Sequence, residues 1–245
     1  MNRLLFSILS GSLVCFLLSC TWNGRKITVS NDVLGNDADW AVLFDGESLT
    51  GWHGFNKTSP VDNWIVEEGV LTCLGKTGGS DSGGDIVSDQ EFGNFELEWQ
   101  WKIAVGGNSG LMYHVIESPK YKAPYETGPE YQLIDDIGFP GKLEDWQKAG
   151  ANYAMNPADT SKKMLKPVGE WNSSRIRYHD GQVEHWLNGQ KIVEFQEGSS
   201  AWEHEKKEGK WKDFPDYKLV NSGRIALQDH GDRAWFRNIR IRELN

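Results

Sequence analysis

Apolar and polar residues alternate along much of this chain, and the alternation is clearest between residues 95 and 102. The apolar positions are Phe95, Leu97, Trp99 and Trp101, and the polar positions between them are Glu96, Glu98, Gln100 and Lys102. Because successive side chains of a strand point to opposite faces, this segment predicts a strand with one face in a core and the other in water.

Shorter segments of strand composition recur between turn signals. They cover residues 64–66, 70–73, 86–88, 111–116, 130–135, 171–179, 183–187, 191–195, 223–230 and 235–241. The Asp-Gly and Asn-Gly dipeptides at residues 180–181 and 188–189 favour tight hairpins. Residues 201–214 are the one helix predicted, with Trp202 as its core anchor. So many short strands with so little helix predict an all-β fold, a sandwich of two antiparallel sheets.

The strand predicted at residues 130–135 carries the most informative polar side chains. Tyr131 and Leu133 share one face, which suits a core, and Glu130 and Gln132 then share the opposite face. A carboxylate beside an amide suits binding of a hydroxyl-rich ligand, and the carboxylate can also move a proton. A solvated strand with two ordinary polar residues is the alternative.

Further polar side chains lie where other predicted strands meet loops. The alternation places three of them, His114, Gln228 and His230, on the side of that carboxylate, which would give a cleft capable of proton transfer. The substrate-binding candidates are Asn108, Gln132, Trp171, Asn172, Arg175 and Gln228. For each histidine, a partly exposed surface position is the alternative interpretation.

Composition narrows the possible partners. The chain has 245 residues, of which 26 are basic and 35 acidic, and its net charge of −9 argues against a nucleic-acid partner. Its 12 tryptophans fit core packing and also stacking on the C–H faces of sugars. Cys73 is expected to be a buried, small apolar residue.

The sequence gives little support for a cofactor or a metal. It has no His-x-x-x-His and no paired-Cys spacing, so no cofactor is expected. The acidic segments at residues 81–85 and 135–136 leave a divalent ion such as calcium open, with solvated turns as the alternative.

The N-terminus predicts export. Residues 1–19 have a basic residue followed by an apolar run, which is the layout of a signal peptide, and they precede Cys20 in a lipobox-like context. Lipidation of Cys20 would anchor the chain in the cell envelope, with residues 20–38 as a tether and residues 39–245 as the domain. The favoured location is the outer membrane facing the periplasm, and plain secretion is the alternative.

Several short motifs occur in an order that is similar to one known family. They lie at residues 43–46 (Leu-Phe-Asp-Gly), 49–52 (Leu-Thr-Gly-Trp), 64–69, 108–111 (Asn-Ser-Gly-Leu), 130–135 (Glu-Tyr-Gln-Leu-Ile-Asp), 169–172 (Gly-Glu-Trp-Asn), 187–189 (Leu-Asn-Gly), 223–231 and 236–241. From about residue 43 to residue 244 the chain resembles the 3-keto-disaccharide hydrolase domain family. The resemblance implies a concanavalin A-like jelly-roll sandwich, common in secreted proteins of sugar-degrading bacteria. His114 departs from the family pattern, since many members carry Arg there.

The candidate residues also favour one type of glycoside cleavage over another. Glycoside hydrolysis with retention needs two carboxylates about 5 Å apart, and the same-face neighbour of Glu130 is Gln132, so that reaction is disfavoured. A 3-keto sugar needs only one base, because its carbonyl acidifies the hydrogen at C2 and the enolate expels the group at C1. Glu130 or His230 is the expected base, and the other of the pair or His114 is the expected acid.

Two other classes of function stay open from the sequence. The same fold and aromatic content serve carbohydrate-binding modules, which need no base. An interaction domain presented on the membrane is the third possibility, although it would not need polar groups gathered on one sheet face.

Overall fold

The computed structural model describes residues 39–75 and 84–245. The predicted signal peptide, Cys20 and the tether up to residue 38 lie outside these ranges. Within the described ranges, no helix is both long enough and apolar enough to cross a bilayer.

Two antiparallel sheets make up the described part of the chain. The first sheet has the strand order β11-β10-β9-β6-β13-β4-β3, with β1 paired to β13. Its strands are β1 (Ala41–Val42), β3 (Trp64–Glu67), β4 (Val70–Cys73), β6 (Phe95–Ile103), β9 (Asn172–His179), β10 (Gln182–Leu187), β11 (Gln190–Gln196) and β13 (Ala234–Glu243). The hairpins predicted around residues 67–69, 180–181 and 188–189 all form.

The second sheet has the strand order β2-β5-β12-β7-β8. Its strands are β2 (Trp52–Gly54), β5 (Ile86–Phe92), β7 (Asn108–Val115), β8 (Glu130–Ile134) and β12 (Gly223–Leu227). The two sheets pack as a jelly-roll sandwich, which confirms the predicted fold class.

The core lies between the two sheets and is rich in aromatic side chains. Phe95, Leu97, Trp99 and Trp101, the apolar half of the clearest alternation, are each at most 1% exposed. Cys73 is also fully buried in this core, and burial raises the pKa of its thiol, in agreement with the expected apolar role.

The predicted helix at residues 201–214 is shorter than expected. Helix α1 covers Ser200–Glu208, and Ser199 caps it by accepting a hydrogen bond from the Trp202 backbone N–H at 3.3 Å. A separate 3₁₀ turn, Lys210–Asp213, follows Gly209. Trp202 is buried as predicted. The break after α1 matters because it sets the position of the first residue of the 3₁₀ turn, Lys210.

Candidate active site

The site is built on the face of the second sheet that points away from the core. Tyr131 and Leu133 are fully buried between the sheets, so Glu130 and Gln132 lie on the outer face, as the alternation predicted. Both polar residues are nevertheless almost completely enclosed, with Glu130 only 3% exposed. Glu130 is therefore a buried carboxyl, which rules out the solvated-strand alternative.

Gly110 makes room for the Glu130 side chain. It lies on β7, directly opposite Gln132 on β8. A Cβ atom at Gly110 would stand 2.1 Å from Glu130 Oε1. The carboxyl group therefore lies directly over the bare backbone of Gly110, and only glycine at this position permits that arrangement.

Gln228 adds a second amide at the same place. Its backbone N–H donates to the Gly110 carbonyl at 2.9 Å, so β12 meets the site from the side opposite β8. The side-chain Oε1 atom of Gln228 is buried and has no hydrogen-bond partner among the described residues. A buried acceptor without a partner costs free energy, and a ligand hydroxyl would satisfy it.

Lys210 supplies the cation of the site. Its Nζ atom lies 4.4 Å from the ring centroid of Tyr153, 4.7 Å from that of Trp211 and 5.0 Å from that of Tyr125. The aromatic faces attract the ammonium by cation–π interaction. In the part of the chain that the structure covers, no carboxylate lies within ion-pair distance of Lys210, although its charge acts on Glu130.

Two carboxyl groups of the site, the buried Glu130 and the partly buried Asp85, hold their protons to unusually high pH. Burial raises the pKa of Glu130 to about 8, with a small further rise from Asp85, while the Lys210 ammonium opposes this rise. Burial likewise raises the pKa of Asp85 to about 7, against the effect of the Asp229 backbone N–H that donates to Asp85 Oδ1 at 2.8 Å. Lys210 is exposed as a residue, but partial desolvation lowers the pKa of its ammonium, and the nearby Glu130 opposes that change.

The expectation that His114 lies beside Glu130 on the outer face of the second sheet is wrong. β7 has one extra residue relative to β12, since Arg224 pairs with Val115 but Ala226 pairs with Met112. His114 takes a positive φ of 53° at this bulge, and the alternation inverts there.

The inversion puts the imidazole of His114 between the sheets. The ring is fully buried, packs edge-on against Tyr178 with centroids 4.4 Å apart, and its Nε2 lies 2.9 Å from the Gly93 carbonyl oxygen. Burial lowers the pKa of His114 to about 3. It is therefore a neutral core residue on the wrong face to act as the acid.

His230 and Asn108 lie at the ends of strands near the site. His230 is exposed in the connection between β12 and β13, and among the described residues no hydrogen bond or ion pair joins it to Glu130. Its catalytic role stays a prediction. Asn108 begins β7, two residues before Gly110, and its buried Oδ1 atom has no hydrogen-bond partner within the described ranges.

Three other substrate-binding candidates belong to the first sheet, so their predicted assembly with Glu130 is wrong. Arg175, on β9, stacks its guanidinium 4.2 Å from the ring centroid of Trp186 on the outer face of that sheet. Asn172 is buried, and its Oδ1 accepts from the backbone N–H of Lys166 at 3.0 Å. Trp171 lies beside Lys102 and Arg237 on the first sheet. Strand alternation gives the face of a side chain but not its sheet.

The two carboxylates at residues 135–136 are occupied by hydrogen bonds and an ion pair within the protein. Asp135 accepts hydrogen bonds from the backbone N–H groups of Gly106 at 2.8 Å and Gly138 at 2.9 Å, and Asp136 forms an ion pair with Lys163 at 2.5 Å. Residues 76–83, which hold most of the other acidic segment, lie outside the described ranges. Over residues 39–75 and 84–245, no three His, Cys, Asp or Glu side chains are grouped as metal ligands would be.

Comparisons with known proteins identify a single family. The profile of the 3-keto-alpha-glucoside-1,2-lyase-like domain matches residues 39–242. A 3-keto-disaccharide hydrolase from Bacteroides thetaiotaomicron is 34% identical over 235 residues, which cover 85% of this chain and 80% of that protein.

Two crystal structures from Parabacteroides distasonis, both of glycosyl hydrolase candidates, share the fold. The first is 49% identical to this chain with a TM-score of 0.78, and the match covers 85% of this chain and 95% of the crystallised chain. The second is 29% identical to this chain with a TM-score of 0.63, and the match covers 84% of this chain and 99% of the crystallised chain.

Proposed function

The chain belongs to the 3-keto-alpha-glucoside-1,2-lyase-like domain family, and from that premise and the geometry of the site we propose that it is an enzyme that cleaves 3-keto-glycosides. The observation that carries the proposal is the buried Glu130 carboxyl, placed beside amide groups and a cation with no second carboxylate on its strand face. Such a site has one strong base and a means of stabilising an enolate, which a 3-keto sugar requires.

Glu130 acts as the base in this proposal. Its carboxylate takes the hydrogen from C2 of the sugar, the C2–H electron pair forms the C2–C3 double bond of an enolate, and the negative charge moves to the C3 oxygen. Collapse of the enolate forms the C1–C2 double bond and breaks the bond from C1 to the aglycone oxygen. The C3 carbonyl re-forms in this step. Water then adds to C1 and gives its proton to the carboxylate of Asp85, the acid that protonated the leaving group, while the protonated Glu130 returns its proton to C2, so that the net reaction is hydrolysis.

Lys210 and the amides stabilise the enolate. The Lys210 ammonium has no carboxylate partner in the described part of the chain, so it is available to the oxyanion at C3. Gln132 lies on β8 and Gln228 directly follows β12, so the two amides flank Gly110 and fix the sugar through its hydroxyl groups. The same ammonium also favours the ionised form of Glu130, which the reaction requires.

Asp85 is the proposed acid for the leaving group. It precedes β5, and its charge acts on Glu130. With a pKa of about 7, it still carries its proton in a large share of molecules near neutral pH and can donate it to the departing aglycone oxygen.

The activity should depend on pH in a way that separates these two roles. With a nitrophenyl 3-keto-glucoside, whose leaving group needs no proton, we expect kcat/KM to rise with pH and to level off above a pKa of about 8, because only ionised Glu130 removes the C2 hydrogen. With an alkyl 3-keto-glucoside, a falling limb from Asp85 should appear as well. A rate on the nitrophenyl substrate that falls through this range would show that Glu130 is not the base.

The proposed function is tested with matched glucosides. The purified protein is incubated with a 3-keto-glucoside and with the unoxidised parent compound, with and without a chelator, and release of the aglycone is measured. We expect release only from the oxidised compound. Tight binding of unmodified glycans without release from either compound would favour a carbohydrate-binding module instead.

A further inference from the structure

A second cleft lies on the outer face of the first sheet, on the opposite side of the sandwich from Glu130. It has a volume of about 810 Å³. Its lining residues are Glu67, Glu68, Val70, Thr72, Lys102, Trp171, Trp235 and Arg237, and we call it the two-tryptophan cleft. The volume lies within the range of small-molecule binding sites.

The tryptophans point outward because of their position in the strands. Trp235 on β13 lies between Ala234 and Phe236, which are both buried in the core, and it pairs with Lys102 on β6. Trp171 immediately precedes β9 and is half-buried. The two indoles therefore line the cleft and do not contribute to the core, and both are partly buried.

The cations in the cleft lining, Lys102 and Arg237, and Arg233 beside it have no ion-pair partner in the described part of the chain, although Glu67 and Glu68 also line the cleft. Lys102 Nζ lies 5.1 Å from the ring centroid of Trp171 and 4.8 Å from that of Trp235. Arg233 lies 5.8 Å from the ring of Trp235. Within the described ranges, none of Lys102, Arg233 and Arg237 forms an ion pair.

The other two arginines of β13 are ion-paired. Arg240 forms an ion pair with Glu98 at 2.8 Å, and Arg242 forms one with Glu96. The lining of the cleft carries two cationic side chains, Lys102 and Arg237, and two anionic ones, Glu67 and Glu68. An anionic group can bind at the cationic part of the cleft, where Lys102 and Arg237 have no carboxylate partner in the described part of the chain.

Arg237 is oriented as an anion receptor. Its guanidinium stacks 4.1 Å from the ring centroid of Trp171, and its Nε–H donates to Gln100 Oε1 at 2.8 Å. The stack fixes the plane of the guanidinium, and the hydrogen bond fixes one edge. Its two Nη groups have no acceptor in the described part of the chain, and a guanidinium held in this way binds a carboxylate or sulfate in a bidentate manner.

We propose that the two-tryptophan cleft binds an anionic glycan, with a sugar ring against the indoles and a carboxylate or sulfate group on Arg237 and Lys102. The aromatic rings suit the C–H faces of a pyranose. Glu67, Glu68 and Thr72 at the rim supply acceptors for its hydroxyl groups. The site would hold the protein on an acidic polysaccharide, independently of the chemistry at Glu130.

The test is isothermal titration of the full chain with oligogalacturonate, and with a neutral maltooligosaccharide of the same length. We expect the wild type to bind oligogalacturonate, more weakly as salt is raised, and Arg237→Gln, Lys102→Gln and Trp171→Ala each to weaken binding at least about 10-fold. Hydrolysis of a soluble 3-keto-glucoside should stay unchanged in all three variants.

Matched controls lie on the same sheet. Lys191→Gln removes one charge from a lysine that is ion-paired with Glu184 and Glu194, and Trp186→Ala removes a half-buried tryptophan outside the cleft. Both should bind like the wild type. The proposal is overturned if the wild type does not bind oligogalacturonate, if it binds the neutral oligosaccharide equally well, or if Arg237→Gln binds no less tightly than Lys191→Gln.

Discussion

Glu130→Gln should lower turnover of a 3-keto-glucoside by about 10²- to 10⁴-fold, the usual contribution of a positioned general base. The amide has the same shape as the carboxyl, and it fits over Gly110, but it cannot accept the C2 hydrogen. Substrate binding should change little, so the loss is expected in kcat. Steady-state kinetics on the nitrophenyl 3-keto-glucoside measure both quantities.

The same substitution should stabilise the protein at alkaline pH. Glu130 has a pKa of about 8 in the folded chain and an ordinary value of 4.5 when exposed, so the folded state retains this proton more strongly and the free energy of unfolding falls as pH rises from 4.5 to about 8. At pH above this window the buried charge costs at most about 5 kcal/mol, and glutamine removes that cost.

Thermal unfolding at about pH 6 and pH 9 tests this, with Glu205→Gln on the exposed surface of α1 as the control. The Tm difference between Glu130→Gln and the wild type should be larger at the higher pH, and Glu205→Gln should show no such trend. Full turnover by Glu130→Gln would exclude it as the base.

Lys210→Met should lower kcat by about 10²- to 10³-fold, because it removes the positive group assigned to the C3 oxyanion. Methionine keeps an apolar side chain against Tyr125, Tyr153 and Trp211, so the aromatic contacts remain. Loss of the ammonium should also raise the pKa of Glu130 further and move the rising limb of the pH profile upward. The measurement is kcat/KM against pH for the nitrophenyl substrate.

Lys207→Met is the matched control, since Lys207 is exposed on the last turn of α1. It should leave both the rate and the pH profile unchanged. A Lys210→Met variant that keeps the wild-type rate and the wild-type pH profile would remove Lys210 from the mechanism while leaving the base role of Glu130 intact.

The alternation of apolar and polar residues correctly predicted which face of a regular strand each side chain occupies. It failed where a bulge interrupts the strand. Tyr131 and Leu133 are aromatic or aliphatic and enter the core, which fixes Glu130 and Gln132 on the other face. At His114 a one-residue bulge inverts the alternation, and nothing in the local composition marks that bulge.

Other parts of the site depend on contacts between distant segments. The sequence predicts Arg175 near the carboxyl because it belongs to the polar side chains where predicted strands meet loops, whereas the pairing of β9 with β6 and β10 puts it on the first sheet. The sequence predicts Lys210 only as one residue of the helix at residues 201–214, and Asp85 only as part of the acidic segment at residues 81–85. Both reach Glu130 only through tertiary packing, for which the sequence has no periodic signal.

The close approach of Glu130 to Gly110 ties the two positions together across β7 and β8. A relative with any side chain at the position of Gly110 has no space for this carboxyl group and should also have lost the glutamate. The pair therefore serves as a diagnostic for sorting members of this fold family. We expect chains that retain both residues to share the chemistry proposed for Glu130, and chains that replace the glycine to lack a carboxyl group at this position.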